Sequence, residues 1–170
     1  NYTKASEWFK KACDSKHSQS CNNLKIMYDN GLIVKQDYSK AKDDELYKKD
    51  CDNGKMSGCY NLGVIYENGE VIEQNYSKAF EFYKKACDGG HMKSCYHLGK
   101  LEYRVNQDYF KAHKLFKKAC DGGEMNGCVG LADTYAQGLG VKQNASKAKE
   151  LFKKACESGN EFGCRFMEGL

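Results

Sequence analysis

Residues 84–95 read KKACDGGHMKSC, with two cysteines eight positions apart on either side of a Gly-Gly pair. The residues before Cys87 and after Cys95 have the content of short helices, whereas Asp88-Gly89-Gly90 is a sequence that ends helices. A single stretch of this kind predicts a turn between two helices. Its recurrence along the chain decides the fold.

The C-x7-C pattern occurs five times, and the first cysteines of successive pairs are 38, 36, 33 and 36 residues apart. A period near 36 residues through a chain of 170 is typical of stacked helical repeats. We expect one solenoid domain, in which the last repeat is degenerate or truncated. The expected repeats are about 1–36, 37–74, 75–107, 108–143 and 144–170.

Two kinds of segment alternate within the repeats, and both have helical periodicity. In the first kind, Ala79, Tyr83 and Ala86 follow one another at spacings of four and three residues. In the second kind, Leu62 and Tyr66 are four residues apart, which is also a helical spacing. The chain has no proline, and no segment alternates with the period of a β-strand. The sequence therefore predicts an all-α fold of about ten short helices.

Asparagine or aspartate precedes each helix of the first kind. Such side chains accept a hydrogen bond from a free backbone N–H at a helix N-terminus, so we predict that they are N-caps. Three of them also begin N-x-S/T sequons, which we interpret as caps because aspartate fills the same position in other repeats. The predicted caps are Asn1, Asp37, Asn75, Asp108 and Asn144.

The repeats are not identical. The 33-residue spacing predicts a shorter loop before Asp108, and the 38-residue spacing places two extra residues between Ala41 and Cys51. We expect the helix that contains them to be distorted or to begin later than its counterparts. Lys25 and Asp50 replace small residues of the other repeats, which predicts looser packing at the start of the array.

The sequence LGVIY at residues 62–66, followed by AFEFYKKA at 79–86, resembles the Sel1-like branch of tetratricopeptide-type repeats. With a C-x7-C pair in every repeat, the chain also resembles the Helicobacter cysteine-rich protein family of secreted Sel1-like proteins. The resemblance covers essentially the whole chain. It implies a right-handed α/α solenoid of about five helical hairpins.

The cysteines have three possible roles: disulfides, metal ligands or reactive thiols. Residues eight apart in one helix lie about 12 Å from each other, which is beyond the reach of a disulfide. Reversal of the chain at the glycines brings them together, and each bridge would then contribute about 3 kcal/mol or slightly less. The expected bridges are Cys13–Cys21, Cys51–Cys59, Cys87–Cys95, Cys120–Cys128 and Cys156–Cys164.

Metal binding and redox chemistry are the less favoured alternatives. Zinc sites usually have more closely spaced cysteines or regularly spaced histidines. We assign the four histidines, His17, His91, His97 and His113, no recurring place in the repeat. We therefore expect no metal site, no cofactor and no catalytic thiol.

Composition limits the environment and the partners. Ten cysteines favour an oxidising compartment, so we expect a secreted or periplasmic protein. The chain begins at Asn1 without a start methionine or a signal segment, and this expectation rests on the cysteines alone. No apolar run approaches the roughly 20 residues of a membrane span. The net charge of +4 is too small to indicate a nucleic-acid partner. We expect a monomer.

The family that the chain resembles includes penicillin-binding proteins and weak β-lactamases. The S-x-x-K element of serine β-lactamases occurs at Ser39–Lys42 and Ser146–Lys149, in what we take to be the same repeat position. The S-D-N and K-T-G elements are absent. We identify no catalytic residue, and β-lactam binding or weak hydrolysis is the alternative function.

By similarity to the tetratricopeptide pattern, the second helix of each repeat lines a concave wall. The positions two before and two after its leucine vary between repeats, as expected for a surface that contacts different parts of a bound partner. The expected function is therefore a protein or peptide interaction module at the host–bacterium interface, with a host protein as one candidate partner. The candidate groove residues are Asn22, Ile26, Tyr60, Val64, Tyr96, Lys100, Val129 and Asp133.

Two further recurring features are interpreted as structural. Tyr28, Tyr66 and Tyr135 share one repeat position and are expected to pack between helices. A Lys-Lys pair near the end of each first helix suits a solvated surface close to a negative helix terminus, although attraction to an acidic surface is the alternative. The pairs are 10–11, 48–49, 84–85, 117–118 and 153–154.

Overall fold

The structure, a computed structural model, describes residues 8–9, 11–13, 15, 17–29, 40–69 and 73–168. In this part of the chain residues 8–9 and 11–13 are helical, nine α-helices with given bounds follow them, and there is no β-strand. A π-helical turn at Glu102–Asn106 extends the fifth helix. The helices are α1 Ser18–Asp29, α2 Lys40–Asp52, α3 Met56–Asn68, α4 Tyr76–Asp88, α5 Met92–Leu101, α6 Tyr109–Asp121, α7 Met125–Gln137, α8 Ala145–Glu157 and α9 Glu161–Glu168.

Successive helices pack against one another as hairpins. From α2 to α9 each helix contacts the next, and α7 also contacts both α5 and α9. Hydrophobic clusters join neighbouring repeats, as where Tyr83 of α4, Leu98 of α5 and Ala119 of α6 share one buried cluster. These contacts confirm the predicted all-α solenoid, in which every hairpin covers the apolar face of the next.

The five predicted disulfides are confirmed. Each joins the two cysteines of one C-x7-C pair, with Cα atoms between 4.4 and 4.8 Å apart. In the turn between α4 and α5, the second glycine, Gly90, has a φ of 89°, and the His91 N–H then donates to the Ala86 carbonyl at 2.9 Å. The second glycine of the pair therefore provides the left-handed conformation that lets the two cysteines meet.

The N-cap prediction is confirmed at three of its five positions. The side chains of Asn75, Asp108 and Asn144 each accept the backbone N–H three residues later at 3.0 Å. Both asparagines, Asn75 and Asn144, begin sequons, and their side-chain oxygens accept backbone hydrogen bonds at the start of the helix. Asn1 and Asp37 lie outside the described residues.

The short loop before α6 is confirmed, and the residue that ends the preceding helix differs from that in the other repeats. Gly69 and Gly138 end α3 and α7 with φ values of 69° and 72°. After α5 the π-helical turn ends instead at Gln107, a non-glycine residue with a φ of 54°, whose N–H donates to the Glu102 carbonyl. A left-handed non-glycine residue costs on the order of 1 kcal/mol, so tertiary contacts hold this turn in place.

The described part of the first helix of the second repeat, α2, runs without interruption from Lys40 to Asp52 and has 13 residues, as do α4, α6 and α8. The expectation of a later start concerns residues before Lys40, which lie outside the described residues. Of the two S-x-x-K sequences, the first begins at Ser39, which lies outside the described residues. In the second, Ser146 is the second residue of α8.

Small side chains make the closest contacts between the two helices of a hairpin. Ala119 is fully buried, and a Cβ atom added at Gly127 would lie 2.5 Å from the Ala119 Cβ. In the second repeat the corresponding pair is Asp50 and Gly58, with the added Cβ at 2.7 Å from the Asp50 Cβ. We call these pairs the alanine junction and the aspartate junction. The side chain of Lys25, the other predicted irregularity, lies outside the described residues.

Candidate binding groove

A groove runs across the second helices of three neighbouring repeats. It has a volume of about 320 Å³ and is bordered by α5, α7 and α9, with α6 beneath. Aromatic side chains provide much of its surface. The lining residues are Tyr96, Lys100, Tyr103, Phe116, Asn126, Val129, Gly130, Asp133, Phe162 and Phe166.

Half of the predicted groove residues line this cavity. They are Tyr96 and Lys100 of α5 with Val129 and Asp133 of α7. The other four belong to earlier repeats and lie outside it. Asn22 is half-buried and Ile26 is 48% exposed in α1, while Tyr60 and Val64 pack against the core of the neighbouring repeats.

Sequence reasoning missed lining positions on the same helical face. Asn126 and Phe162 stand two residues before the second cysteine of their repeats, and Gly130 and Phe166 stand two residues after it. Positions three or four apart share one face of a helix. The periodicity of the predicted positions could therefore have identified these residues as well.

The floor of the groove comes from the first helix of the fourth repeat. Phe116 of α6 is 4% exposed, and its ring centroid lies 6.0 Å from that of Tyr96. A Cβ atom at Gly130 would lie 2.9 Å from the Phe116 ring, so glycine lets the backbone of α7 approach this ring. At the far end the rings of Phe152 and Phe166 stack at 4.8 Å. The floor is apolar and rigidly packed.

A polar bridge connects α7 to the π-helical turn. The Tyr103 hydroxyl donates to Asp133 Oδ2 at 3.1 Å, and Gln137 Nε2 donates to Asp133 Oδ1. Burial, the Asp133 charge and this hydrogen bond raise the pKa of Tyr103. Tyr103 belongs to the π-helical turn, which a reading of helical periodicity does not predict.

A second polar cluster lies at the groove edge towards the N-terminus. Glu67 Oε2 accepts a hydrogen bond from the Tyr83 hydroxyl at 2.6 Å and lies 3.3 Å from His97 Nδ1. Lys100 Nζ is 3.5 Å from Glu67 Oε1. Burial alone would raise the pKa of Glu67, but its hydrogen bonds with His97 and Tyr83 and the Lys100 charge outweigh burial and lower the pKa to about 2. Glu67 therefore stays ionised and holds Lys100 beside the groove.

Burial of Tyr83 and its contact with Glu67 raise the pKa of this phenol. Tyr60 adds to the same cluster, with its ring centroid 4.9 Å from that of His91 and 5.5 Å from that of His97. Lys93 Nζ lies 5.3 Å from the Tyr60 centroid on the outer side. Tyr60 is thus part of an aromatic cluster beside the cavity.

The expectation that the histidines hold no recurring place is wrong for two of them. His17 and His91 both stand four residues before the second cysteine, and the Nδ1 of each lies 2.8 Å from a serine hydroxyl, that of Ser20 or Ser94. The equal distance to the cysteine was visible in the sequence. These pairs lie at the start of a second helix. Within the described residues no group of three or more His, Cys, Asp or Glu side chains is placed to hold a metal ion.

The described lysines of the Lys-Lys pairs are exposed, as predicted, and several of them pair with groups of the same chain. Lys84 and Lys117 pair with the aspartates four residues later, Asp88 and Asp121, at 2.9 and 2.5 Å. The second lysine of a pair reaches the preceding repeat, as Lys118 does when it donates to the Cys87 carbonyl at 3.0 Å.

Two further expectations concern side chains outside the groove. Tyr66 stacks on Phe82 with centroids 5.6 Å apart, and Tyr135 meets the ring of His113 edge-on at 5.1 Å, so their predicted packing role is confirmed. The side chain of Tyr28 is outside the described part. Ser146 is exposed at the start of α8 and does not line the groove.

Helices with the length and apolar character needed to cross a bilayer do not occur in the part of the chain that the structure describes.

The Sel1 repeat family matches five segments of the chain that together cover most of it. The matched residues are 1–17, 18–43, 57–91, 93–124 and 126–160. No curated protein is similar enough in sequence to count as a match.

Three solved structures show the same fold. A Sel1 repeat protein from Oxalobacter formigenes has a TM-score of 0.77 at 20% identity, over 96% of this chain and 66% of that one. A protective antigen of uropathogenic Escherichia coli with an SLR fold has a TM-score of 0.74 at 30% identity, over 98% of this chain and 36% of that one. The Helicobacter pylori cysteine rich protein B has a TM-score of 0.59 at 30% identity, over 75% of this chain and 93% of that one.

The chain thus spans about two thirds of the Oxalobacter protein and about one third of the Escherichia antigen. It covers nearly all of the Helicobacter protein. Each repeat of the present chain contains one disulfide. The chain belongs to the Sel1 repeat family, in a cysteine-rich form with one disulfide per repeat.

Proposed function

We propose that this chain binds a segment of a partner protein in the groove between α5, α7 and α9. Sel1 repeats typically act as protein-interaction modules, and family membership supports this general role. The observation that carries the proposal is the groove itself, since four residues that were predicted from the sequence line one apolar cavity of about 320 Å³. Concave, largely apolar sites with a few polar groups are typical of ligand binding.

The composition of the groove favours a polypeptide ligand. Exposed aromatic side chains are enriched where partners bind, because they offer a large contact area at a low cost in conformational entropy. Phe162 and Phe166 are 58% and 47% exposed, although aromatic side chains are usually buried. Asp133 and Lys100 place a carboxylate and a cation at the edge of this apolar surface.

We further propose that the protein acts outside the cytoplasm, as a secreted or periplasmic protein at a host–bacterium interface. Five disulfides suggest an oxidising environment, because reducing compartments keep thiols free. The Escherichia neighbour, at 30% identity, is described as a protective antigen. An interaction module in contact with host molecules fits both observations.

A non-enzymatic role fits the family better than β-lactam hydrolysis does, since Sel1 repeat proteins are generally interaction modules. Nothing in the described geometry favours the alternative. The exposed position of Ser146 outside the groove gives it no substrate cavity.

The test is a selection of random linear peptides on the folded, disulfide-bonded protein, followed by affinity measurements with two matched variants. Phe162→Ala removes an exposed aromatic ring from the groove. Phe110→Ala removes one that is 57% exposed and lies outside the lining, and each ring has a cation above it.

We expect Phe162→Ala to weaken peptide binding about tenfold, as truncation of an aromatic side chain in a binding surface typically does. Phe110→Ala should leave the affinity within about twofold of the unchanged protein. Selected peptides that bind both variants equally well would overturn the proposal. Circular dichroism of each variant verifies that it is folded.

A further inference from the structure

We infer that the segment bound in the groove is acidic as well as apolar. This inference rests on the proposed function and names the chemistry of its partner. It arises from an imbalance among the charged groups around the groove. Three carboxylates there already accept hydrogen bonds from the chain, whereas three cations have no carboxylate partner among the described residues.

Three carboxylates near the groove have partners within the chain. Glu67 is held by Tyr83, His97 and Lys100, as described above. Both oxygens of Asp133 accept a hydrogen bond, one from Tyr103 and the other from Gln137. Glu124, whose charge reaches Tyr60 and Tyr96, accepts the Asn126 backbone N–H at 3.1 Å and its side-chain amide at 2.9 Å. The charges of these three carboxylates are thus partly satisfied within the chain.

Lys93 is the first of the available cations. It is exposed, and it stands two residues before Cys95, the position that Asn126 and Phe162 occupy in the lining of later repeats. Its ammonium group lies above the ring of Tyr60. No described carboxylate lies within 4.0 Å of it.

Two arginines complete the set. Arg104 is exposed in the π-helical turn directly after the lining residue Tyr103, and its charge acts on Tyr96. Arg165 directly follows Cys164, as Val129 follows its own cysteine, and its guanidinium lies 5.8 Å from the Phe162 centroid. Among the described residues neither arginine has a carboxylate partner within 4.0 Å.

The lysine surface formed by the Lys-Lys pairs shows the opposite arrangement. Lys84, Lys117 and Lys153 each have a carboxylate four residues later within 4.0 Å, at 2.9, 2.5 and 3.7 Å. Lys85 lies 3.7 Å from Asp52 of the preceding repeat. At these four positions the chain supplies an anionic partner to its lysine surface, whereas Lys93, Arg104 and Arg165 have none among the described residues and can pair with a ligand.

The groups of a ligand that suit this arrangement follow from its chemistry. Ammonium and guanidinium groups donate hydrogen bonds and cannot accept them, so a ligand must offer acceptors, and carboxylates form the strongest such bonds. The aromatic cavity requires apolar side chains in the same segment. An extended segment in which Asp or Glu alternates with Phe, Leu or similar residues meets both needs. Charges at the rim of a site also steer association.

The first measurement is the composition of the peptides that random selection enriches on the unchanged protein. We expect Asp and Glu to be enriched over the unselected library, together with aromatic or aliphatic residues. Binding of these peptides should weaken when salt rises from about 50 to about 500 mM, because screening acts on exposed charges.

The second measurement uses two charge-reversal variants with the same change in net charge. Lys93→Glu/Arg104→Glu reverses two cations that lie beside the groove, one turn before Tyr96 and directly after Tyr103. Lys114→Glu/Lys142→Glu reverses two exposed lysines in α6 and in the loop after α7. We expect the groove variant to bind the enriched acidic peptides about tenfold more weakly, as the loss of two exposed charge contacts implies. The control variant should stay within about twofold.

The possible failures are distinguishable. Enrichment of basic or uncharged peptides, or equal affinity of both charge-reversal variants for acidic peptides, would overturn the acidic ligand. The groove proposal would survive either result if Phe162→Ala still weakened binding. Insensitivity to Phe162→Ala would overturn the groove proposal itself.

Discussion

The alanine junction and the aspartate junction occupy equivalent places in two repeats, and they are stabilised in different ways. At the first, Ala119 is fully buried against Gly127 and packs with Met92 of the preceding hairpin. At the second, Asp50 is 6% exposed, accepts a hydrogen bond from the Ser18 hydroxyl, and pairs with Lys55 at 2.9 Å.

The carboxylate at the aspartate junction is accompanied by two further differences between the junctions. Ser18 and Met92 are equivalent, since both stand three residues before the second cysteine of their repeat. Lys55 and Glu124 are equivalent, since both stand four residues before it. A buried carboxylate is tolerated only where its charge is compensated. The aspartate junction has a hydroxyl from the preceding repeat and an ammonium group from its own, whereas the alanine junction has a thioether from the preceding repeat and a carboxylate from its own.

The largest effect is expected when the aspartate is transferred alone to the alanine junction. Ala119→Asp would bury a carboxylate between Met92 and Glu124 without a partner. We expect a loss of about 3 kcal/mol or more in the free energy of unfolding. Urea denaturation with the disulfides intact measures it. A loss below about 1 kcal/mol would show that the junction relaxes and that the compensating residues are unnecessary.

Removing the disulfides should affect both junctions equally. Cys51→Ala/Cys59→Ala and Cys120→Ala/Cys128→Ala each open a bridge with a sequence separation of 8. Because the loops have the same length, the chain-entropy argument predicts about 2.5 kcal/mol for each pair. Urea midpoints of the two double variants provide the comparison. Costs that differ by more than about 1 kcal/mol would show that the packing of each junction decides the value of its disulfide.

The aspartate junction should respond to pH. Burial raises the pKa of Asp50, but hydrogen bonds from Ser18 and Lys55 and nearby lysine charges outweigh it, so the pKa lies below the ordinary 3.8. A lowered folded-state pKa means that the carboxylate stabilises the fold fully above the unfolded-state pKa. This stabilisation is lost as pH falls through the folded-state pKa.

Asp50→Asn should therefore cost about 1–2 kcal/mol at neutral pH, the usual range for a charge-assisted hydrogen bond. The difference from the unchanged protein should shrink below pH 3.8. Urea unfolding at several pH values measures this. Asp88→Asn, which alters a carboxylate that is 60% exposed, is the matched control. A difference that is constant with pH would exclude an ionised Asp50 from the stability of the junction.

The smallest effect is expected on the lysine surface. Lys84 and Asp88 form an ion pair in which both side chains are 60% exposed. Lys84→Ala should change the free energy of unfolding by no more than about 0.5 kcal/mol. Lys55→Ala, which removes a partner of the buried Asp50, should cost more. Thermal unfolding of the two variants at equal salt makes the comparison, and a larger effect at Lys84 would contradict it.

Much of the fold could be predicted because repetition makes weak signals additive. One C-x7-C pair has several interpretations, but five pairs at one period define a helical hairpin with a bridge across its turn. The caps Asn75, Asp108 and Asn144 were predictable for the same reason. The π-helical turn at Glu102–Asn106 was not, because its backbone depends on tertiary contacts and Gln107 is no usual left-handed residue.

The groove was predictable only in part. Similarity to the tetratricopeptide pattern predicted that Tyr96, Lys100, Val129 and Asp133 face a groove, and they line the cavity. It could not show that the floor is Phe116, which belongs to another helix and is reached because Gly130 removes a side chain. Contacts between elements distant in sequence require the packed structure.

The most direct test of the central claim is to map a bound peptide onto the backbone amides by NMR. A selected peptide added to the isotopically labelled protein should shift the amide signals of Tyr103, Val129 and Gly130, which line the groove. Signals from the lysine surface, such as those of Lys84 and Lys117, should stay unchanged. Shifts confined to that surface, with the groove amides unaffected, would contradict the assignment of the groove as the binding site.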